Sequence, residues 1–217
     1  MTDALDYEVM VKMLLGAARQ IQENHARLSE LDSFGGDGDH GTTMLRAMEN
    51  LEDSVSAART GQIKKLLSDV AWAVMGTDGG ATGPLFGSFF MGMSSGVAEA
   101  EALDVGAVAE MFEAGLNCLR KQTKAQIGDK TVIDALAPAV KEARRAADEG
   151  LGISAVLKQA ADAAGEGAHS TIDLEPRLGR AKNAAQQSLG HEDPGAVSVS
   201  LIFKGFMKGA LDNGGQR

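Results

Sequence analysis

Aromatic residues are scarce in this chain, only 4% of 217 residues. With so few rings, a core has to be filled by Leu, Ala, Val, Met and Ile, which favours close-packed helices over a β-sandwich. Cysteine is rarer still. The single Cys118 excludes an intrachain disulfide and points to a reducing compartment. Positive charge is also short: 21 Lys and Arg stand against 30 Asp and Glu, for a net charge of −9. No basic run offsets that balance, which argues against a nucleic-acid partner. A polyanionic ligand would need metal ions to bridge it to so acidic a protein. No apolar run approaches the ~18 residues of a membrane span. The first residues, Met1 to Asp6, are acidic and lack the basic start of a secretory signal. The expectation is a cytoplasmic protein. Its 44% hydrophobic and 24% charged residues match an ordinary globular mix that can bury a sizeable core.

What the chain does have is helical periodicity. Residues 7–28 place Val9, Met13, Leu14, Ala17, Ile21 and Ala26 close to one stripe. Residues 42–59 repeat it with Met44, Leu45, Met48, Leu51 and Val55, and residues 62–76 with Ile63, Leu66, Leu67, Val70 and Val74. Further segments fall at about 84–100, 105–122, 130–148, 153–168, 175–188 and 196–211. Glycine, Asp and Ser/Thr breakers separate them. Val197 to Phe203 alternates like a strand, but it follows Pro194-Gly195 and runs on into Lys204–Leu211 without a turn, so it reads as helix. No strand is expected elsewhere. Short loops between such segments imply an antiparallel, up-and-down helical assembly. No linker or low-complexity run divides residues 1–217, and one domain is the economical reading.

One stretch breaks the pattern. Asp32-Ser-Phe-Gly-Gly-Asp37-Gly-Asp39-His40-Gly41-Thr42-Thr43 crowds three aspartates among glycines between two helical segments. Carboxylates so close repel one another unless something positive sits among them. Glycines permit tight turns and close approach of a ligand. Mg²⁺ takes oxygen ligands, typically one or two carboxylates plus substrate phosphates. The stretch therefore reads as a metal–phosphate site, and two Mg²⁺ shared by Asp32, Asp37 and Asp39 would suit a nucleotide with several charges to neutralise. The plainer alternative is a set of turn aspartates capping the next helix. An EF-hand is excluded: counted from Asp37, the required terminal Glu falls on Met48.

A second stretch, Gly76-Thr-Asp-Gly79-Gly80-Ala81-Thr82-Gly83-Pro84, leads into an apolar helix. Uncrowded backbone N–H groups at a helix start form an anion site, and Pro84 suits the first helical turn. A flexible glycine loop is the alternative. No Walker A lysine and no protein-kinase signature follows. Gly87, Gly92 and Gly96 read as packing glycines. His40 and the hydroxyls of Thr42 and Thr43 could contact phosphate or simply cap a helix. Gly128-Asp129-Lys130-Thr131, Gly179-Arg180 and Asp193-Pro194-Gly195 are, taken singly, turn chemistry.

Together these pieces resemble the nucleotide-binding L subunit of dihydroxyacetone kinase, which also forms the C-terminal domain of single-chain ATP-dependent ketose kinases. The resemblance rests on Leu31-Asp32, Gly36-Asp37-Gly38-Asp39-His40-Gly41, Gly79 to Gly87, Gly128 to Thr131, Gly179-Arg180-Ala181, Gly190-His191 and Asp193 to Ala196, in the family's order across nearly the whole chain. It implies an all-α antiparallel barrel of eight helices with ADP or ATP at one end, and a short or irregular segment 175–188. It implies two Mg²⁺ on Asp32, Asp37 and Asp39, acting in catalysis through the metal. Phosphate contacts would come from His40, Gly41, Thr42, Thr43, Ala81 and Thr82. Gly128, Arg180, Asp193, Pro194 and Gly195 would form the nucleotide pocket.

The implied activity is transfer of phosphate from ATP to a terminal hydroxyl of a short ketose held covalently on a separate K subunit. One alternative keeps ADP as a tightly held cofactor, rephosphorylated by a phosphocarrier M-type subunit. Another is a non-catalytic ADP-sensing module. Gly41-Thr42-Thr43 looks closer to ATP-using members, whereas His40 and Pro84 to Gly87 look like phosphotransferase-system subunits. Residues 178–187 depart from the family's usual run, although Arg180 is kept.

Overall fold

The computed structural model describes residues 4–212. Eight long helices carry the architecture: α1 (Tyr7–Ser33), α2 (His40–Ala57), α3 (Ile63–Met75), α4 (Thr82–Gly96), α5 (Val105–Arg120), α6 (Val132–Asp148), α7 (Ile153–Ser170) and α9 (Pro194–Leu211). Between α7 and α9 lie two 3₁₀ turns, Thr171–Asp173 and Arg180–Ala184, and the single-turn α8 (Ala185–Ser188). The segment 175–188 is thus short and irregular, and the eight remaining helices form the barrel. Each long helix packs on its neighbours in sequence, α7 packs on α9, and α9 packs on α1, closing the ring.

The helices start where local chemistry favours a start. Asp6 accepts from Val9 N (2.9 Å), Asp104 from Ala107 N (2.8 Å) and Asp193 from Ala196 N (2.7 Å), each satisfying an otherwise orphaned amide. Helix α6 opens with a capping box, in which Asp134 Oδ2 accepts from Thr131 N at 2.7 Å. The apolar stripes face inward. Met10, Met13, Leu14, Ala17 and Ile21 of α1 and Met44, Met48 and Leu51 of α2 are fully buried. Aromatic rings are few but central: six of the seven phenylalanines are buried. Phe203 lies 5.1 Å from Phe112 and 5.7 Å from Phe206 between ring centres.

Two sequence expectations need correction. A two-residue antiparallel ribbon pairs β1 (Leu5–Asp6) with β2 (Ala102–Leu103), in register Leu5 opposite Leu103. Strands of that length have no alternation to read. Helix α1 also runs five residues beyond the expected 28, to Ser33. Asp32 therefore projects from a helical turn, not from the loop, and its position is fixed by the helix axis.

An up-and-down ring places alternate connections at the same end. The loops after α1, α3, α5 and α7 share one end, and these are the loops that hold every glycine–aspartate motif singled out above. Those after α2, α4 and α6 lie at the other, with the ribbon. Ring closure needs α1 and α9 to approach closely. A Cβ at Gly205 would overlap the backbone of Ala17 and Gly16, and one at Gly209 would overlap Lys12 and Met13. Gly87 faces Met75 in the same manner, with a hypothetical Cβ 2.7 Å from Met75 Cβ.

Substituting Gly205→Val is expected to destabilise the protein by about 3 kcal/mol, since overpacking a close helix contact outweighs the helix-propensity gain over glycine. Urea unfolding of the variant against wild type measures this. Unchanged stability would mean that α1 and α9 have slack to separate.

Candidate functional site

The motif-bearing end contains a cavity of ≈ 350 Å³. One wall is acidic. After Asp32 the chain turns back sharply, with Gly35 N and Gly36 N donating to the Asp32 carbonyl at 3.1 and 2.6 Å. Gly36 is forced to lack a side chain, because a Cβ there would overlap the Asp32 carboxylate. The turn brings one carboxylate oxygen from each of Asp32, Asp37 and Asp39 within 4.8 Å of the other two. Asp39 occupies the N-cap position of α2 yet makes no side-chain cap bond, unlike Asp6, Asp104 and Asp193. Its carboxylate is left for another partner. Burial, then the Asp37 charge, raises the Asp39 carboxyl above the usual range, with Arg180 opposing.

Arg180 is the cation beside this cluster. Its guanidinium pairs with Asp37 and lies 3.9 Å from Asp39. Three carboxylates against one guanidinium leave excess negative charge, and the donors are all hard oxygens. That set fits Mg²⁺. The amide of His40 donates to Asp32 Oδ2 at 3.3 Å.

The histidine ring is fixed in one tautomer. Ser198 Oγ donates to the Pro194 carbonyl (2.9 Å), so it accepts from His40 Nε2–H (2.8 Å). Nδ1 is then the acceptor for the Thr82 hydroxyl at 3.3 Å. Burial pushes the imidazole pKa down to about 4, against the pull of Asp32, so the ring is neutral at physiological pH.

Facing the acidic wall is the turn before α4. Gly79 and Gly80 both have positive φ, 134° and 55°. A Cβ at Gly79 would come within 2.7 Å of Thr43 Oγ1. With Ala81 and Thr82 these glycines line the cavity, and the first-turn amides of α4 lack intrahelical acceptors. The third side is apolar, from Leu31, Leu85, Phe86, Ala125, Val132 and Leu178. Asp193, Pro194 and Gly195 complete the lining at the start of α9, together with Arg180.

Other residues singled out from the sequence adjoin the cavity without lining it. Asp37 stands at the cavity rim, paired with Arg180. Gly41 is buried against the His25 carbonyl and Ser29, where it lets α2 cross α1. Thr43 is buried at 1% exposure and Thr42 points to solvent. Gly128, at φ 95°, does not line the cavity, and its amide donates to Asp134 Oδ1 at 2.5 Å. Ser198, which fixes the His40 tautomer, is not singled out from the sequence; Lys130, whose amine is buried, and His191, which stacks on Phe34 with ring centres 3.5 Å apart, stand out there only as members of turn motifs.

Residues 35–208 match the family model for the DAK2 domain, a span that takes in Asp37 and Asp39, the glycine turn and the start of α9. The chain belongs to the DAK2 domain family. Among curated relatives, the ADP-binding subunit DhaL of the PEP-dependent dihydroxyacetone kinase of Escherichia coli is 33% identical over 82% of this chain and 84% of its own length. The ADP-binding subunit DhaL of the PTS-dependent dihydroxyacetone kinase of Lactococcus lactis is 34% identical over 87% of this chain and 90% of its own. The L-erythrulose 1-kinase of Mycolicibacterium smegmatis is 32% identical, but this DAK2 chain covers only 32% of it. The same helical fold occurs in the dihydroxyacetone kinase of C. freundii, solved with AMP-PNP and Mg²⁺. The TM-score is 0.70 at 23% identity, over 92% of this chain and 33% of that one.

Asp193 links the DAK2 site to pH. Burial raises its carboxyl from 3.8 to about 7, with Asp134 adding to the shift and Ala196 N and Lys130 opposing it. A folded-state pKa above the unfolded one means the native state binds more protons between those values, so this group's contribution to stability declines as pH rises from about 4 to about 7. Asn caps a helix as well as Asp. Asp193→Asn is therefore expected to gain stability relative to wild type as pH rises through that window. Urea unfolding at several pH values reads the difference, and a pH-independent difference would contradict the buried, protonated carboxyl.

Proposed function

We propose that this chain is the nucleotide- and Mg²⁺-binding subunit of a kinase for dihydroxyacetone or a related short ketose, with residues 1–217 forming one such domain. The observation that carries the reading is the three-carboxylate cluster, short of positive charge, facing a glycine turn at a helix N-terminus across a cavity with an apolar third wall. Acid, anion-binding and apolar surfaces together match a metal, a phosphate chain and a flat base. The names of the DhaL relatives, and the AMP-PNP and Mg²⁺ in the C. freundii kinase structure, support it.

In this reading Asp32, Asp37 and Asp39 would hold Mg²⁺, two ions in the fullest form, which when bound neutralises phosphate charge and orients it for in-line transfer. The chain's own groups do the rest. Amides of residues 79–82 and of the α2 first turn bind phosphate oxygens. Neutral His40 holds the Thr82 hydroxyl in place without adding charge. Arg180 exchanges its carboxylate partner for phosphate as the pocket fills. Leu31, Leu85, Phe86 and Leu178 pack the base and exclude water. The described residues hold no second constellation suited to a carbonyl sugar, so the ketose is presented by a separate K subunit over the rim at residues 36–43 and 79–84. The compartment is the cytoplasm.

ATP as an exchangeable donor is the first form of this reading. The second keeps ADP as a phosphoryl-carrying cofactor recharged by a phosphocarrier subunit. Relatives that are separate subunits of PEP- and PTS-dependent kinases match over 84% and 90% of their own length, which favours the second. Purification without added nucleotide separates them: retained ADP supports the cofactor form, and free exchange supports ATP.

Asp37→Ala and Asp39→Ala are each expected to weaken Mg²⁺-dependent ADP binding by at least about tenfold while keeping the helical fold, because loss of one like charge relieves repulsion in the free protein but strips a metal ligand. Calorimetric titration decides, and affinity within a few-fold of wild type would refute the metal assignment.

A coupled assay with Mg–ATP and dihydroxyacetone is expected to show no turnover by the chain alone and turnover once a K subunit is added, with the phosphocarrier also present in the cofactor form. Robust turnover by the isolated chain would reveal a sugar site within it.

A further inference from the structure

Lys130 is buried, with 4% of its surface exposed, and no carboxylate forms an ion pair with it among the described residues. Its Nζ instead donates to four backbone carbonyls: Thr171 (2.8 Å), Leu174 (3.2 Å), Ser188 (2.9 Å) and His191 (2.8 Å). An ammonium has three protons, so the longest of these contacts shares a proton with a neighbour. The four carbonyls come in two pairs. Thr171 and Leu174 precede the excursion 175–187, and Ser188 and His191 follow it. One ammonium thus clasps both legs of the segment that crosses the cavity mouth and carries Leu178, Arg180 and Ala181 into its lining.

The position is costly, which argues that the amine is what keeps lysine there. Lys130 is the one non-glycine residue with positive φ among the described residues, at 60°, a conformation suited to glycine. Burial pulls its pKa below the ordinary lysine value, with Asp193 and Asp173 opposing. The excursion adds only short 3₁₀ and single-turn pieces of regular structure. Two single hydrogen bonds also join the legs, Gly190 N to the Ile172 carbonyl at 3.1 Å and Asp193 N to Thr171 Oγ1 at 2.8 Å, but Lys130 alone gathers four carbonyls at one point. The excursion's other ties are Arg177 N to the Asp129 carbonyl at 3.2 Å, the Phe34–His191 stack, and the pairs Arg27–Glu192 at 2.5 Å, Arg177–Asp129 at 3.8 Å and Arg180–Asp37. Gly35 admits the excursion at its inner side, where a Cβ would come within 2.9 Å of Ala181 Cβ.

We propose that Lys130 is a positioning residue whose buried ammonium clasps the two legs of segment 171–191, closing a flap over the cavity and holding Arg180 at the acidic cluster. The flap's dependence on the ammonium follows from the geometry alone. Its consequence for ligand affinity rests on the nucleotide reading above.

The test uses the full chain with Lys130→Met, which removes the charge and keeps the bulk, and Lys130→Gly, which also releases the strained backbone. Hydrogen exchange of the amides at 175–190 is expected to accelerate about tenfold or more in both, as suits loss of charge-assisted hydrogen bonds, while α1 and α9 exchange as in wild type. Trypsin is expected to cut faster after Arg177, Arg180 and Lys182. Mg–ADP affinity is expected to fall about tenfold in parallel. In Lys130→Gly, n-butylammonium reproduces the lost side chain, and it is expected to restore flap protection in a concentration-dependent way. Tetramethylammonium at equal ionic strength, which has no N–H to donate, is expected not to. Unchanged flap exchange in Lys130→Met overturns the proposal. So does equal acceleration of α1 and α9, or global unfolding of both variants, since either makes Lys130 a determinant of the whole fold and not of the flap. A wild-type chain that binds no Mg–ADP defeats the nucleotide reading and leaves the exchange result to decide the clasp.

Discussion

The close approach of α1 and α9 is the constraint on which the site depends. The ring closes only because Gly16, Gly205 and Gly209 remove side chains from that contact. Closure sets α9 beside α2, which brings Ser198 to His40 across a separation of 158 residues in sequence. It also sets the start of α9 against α6, where Gly195 leaves room for Val132. The acidic turn, the glycine turn and the α9 cap are distant in sequence and contribute to one cavity because an even number of antiparallel helices returns the chain to its starting edge. A wider α1–α9 gap would leave the motifs intact and the cavity open on one side.

Much of this was legible in the chain before any coordinates. Apolar residues at helical spacing marked all eight long helices, since each ring helix buries one face and exposes the other. The same logic explains what was missed. Nothing in the sequence says that α1 continues to Ser33, because the polar Glu30, Asp32 and Ser33 break the apolar stripe. The ribbon of Leu5–Asp6 with Ala102–Leu103 is shorter than any period. Site residues split in the same way. Carboxylates and glycines show themselves by crowding, and Asp32, Asp37 and Asp39 do converge. Gly41 and Thr43 read in sequence as phosphate contacts; the structure buries both, with Gly41 against the His25 carbonyl and Ser29 and Thr43 against the Gly79 turn.

Lys130 shows the limit most sharply. Its partners are carbonyl oxygens 41 to 61 residues away, and every residue has a carbonyl. No side-chain pattern encodes such a contact. The clue present in the sequence is a lysine directly after Gly128-Asp129, in a turn where a long charged residue would ordinarily be solvated. Ser198 is equally silent. A serine on the inner face of a helix commonly bonds back to its own i−4 carbonyl, as Ser198 does to Pro194. That bond uses the hydroxyl proton and so leaves the oxygen to accept from His40.

Charge is distributed here as two complementary imbalances. The mouth of the cavity holds three carboxylates and one guanidinium, so negative charge is in excess there and by itself repels a polyphosphate. Behind it Lys130 faces carbonyl dipoles, with Asp193 and Asp173 close enough to favour its charge. Raised pKa at Asp193 and lowered pKa at His40 both reduce the number of charges in the enclosed part of the site. In the nucleotide reading proposed above, the three carboxylates outnumber the single guanidinium, so a cation would have to load before or with the phosphate.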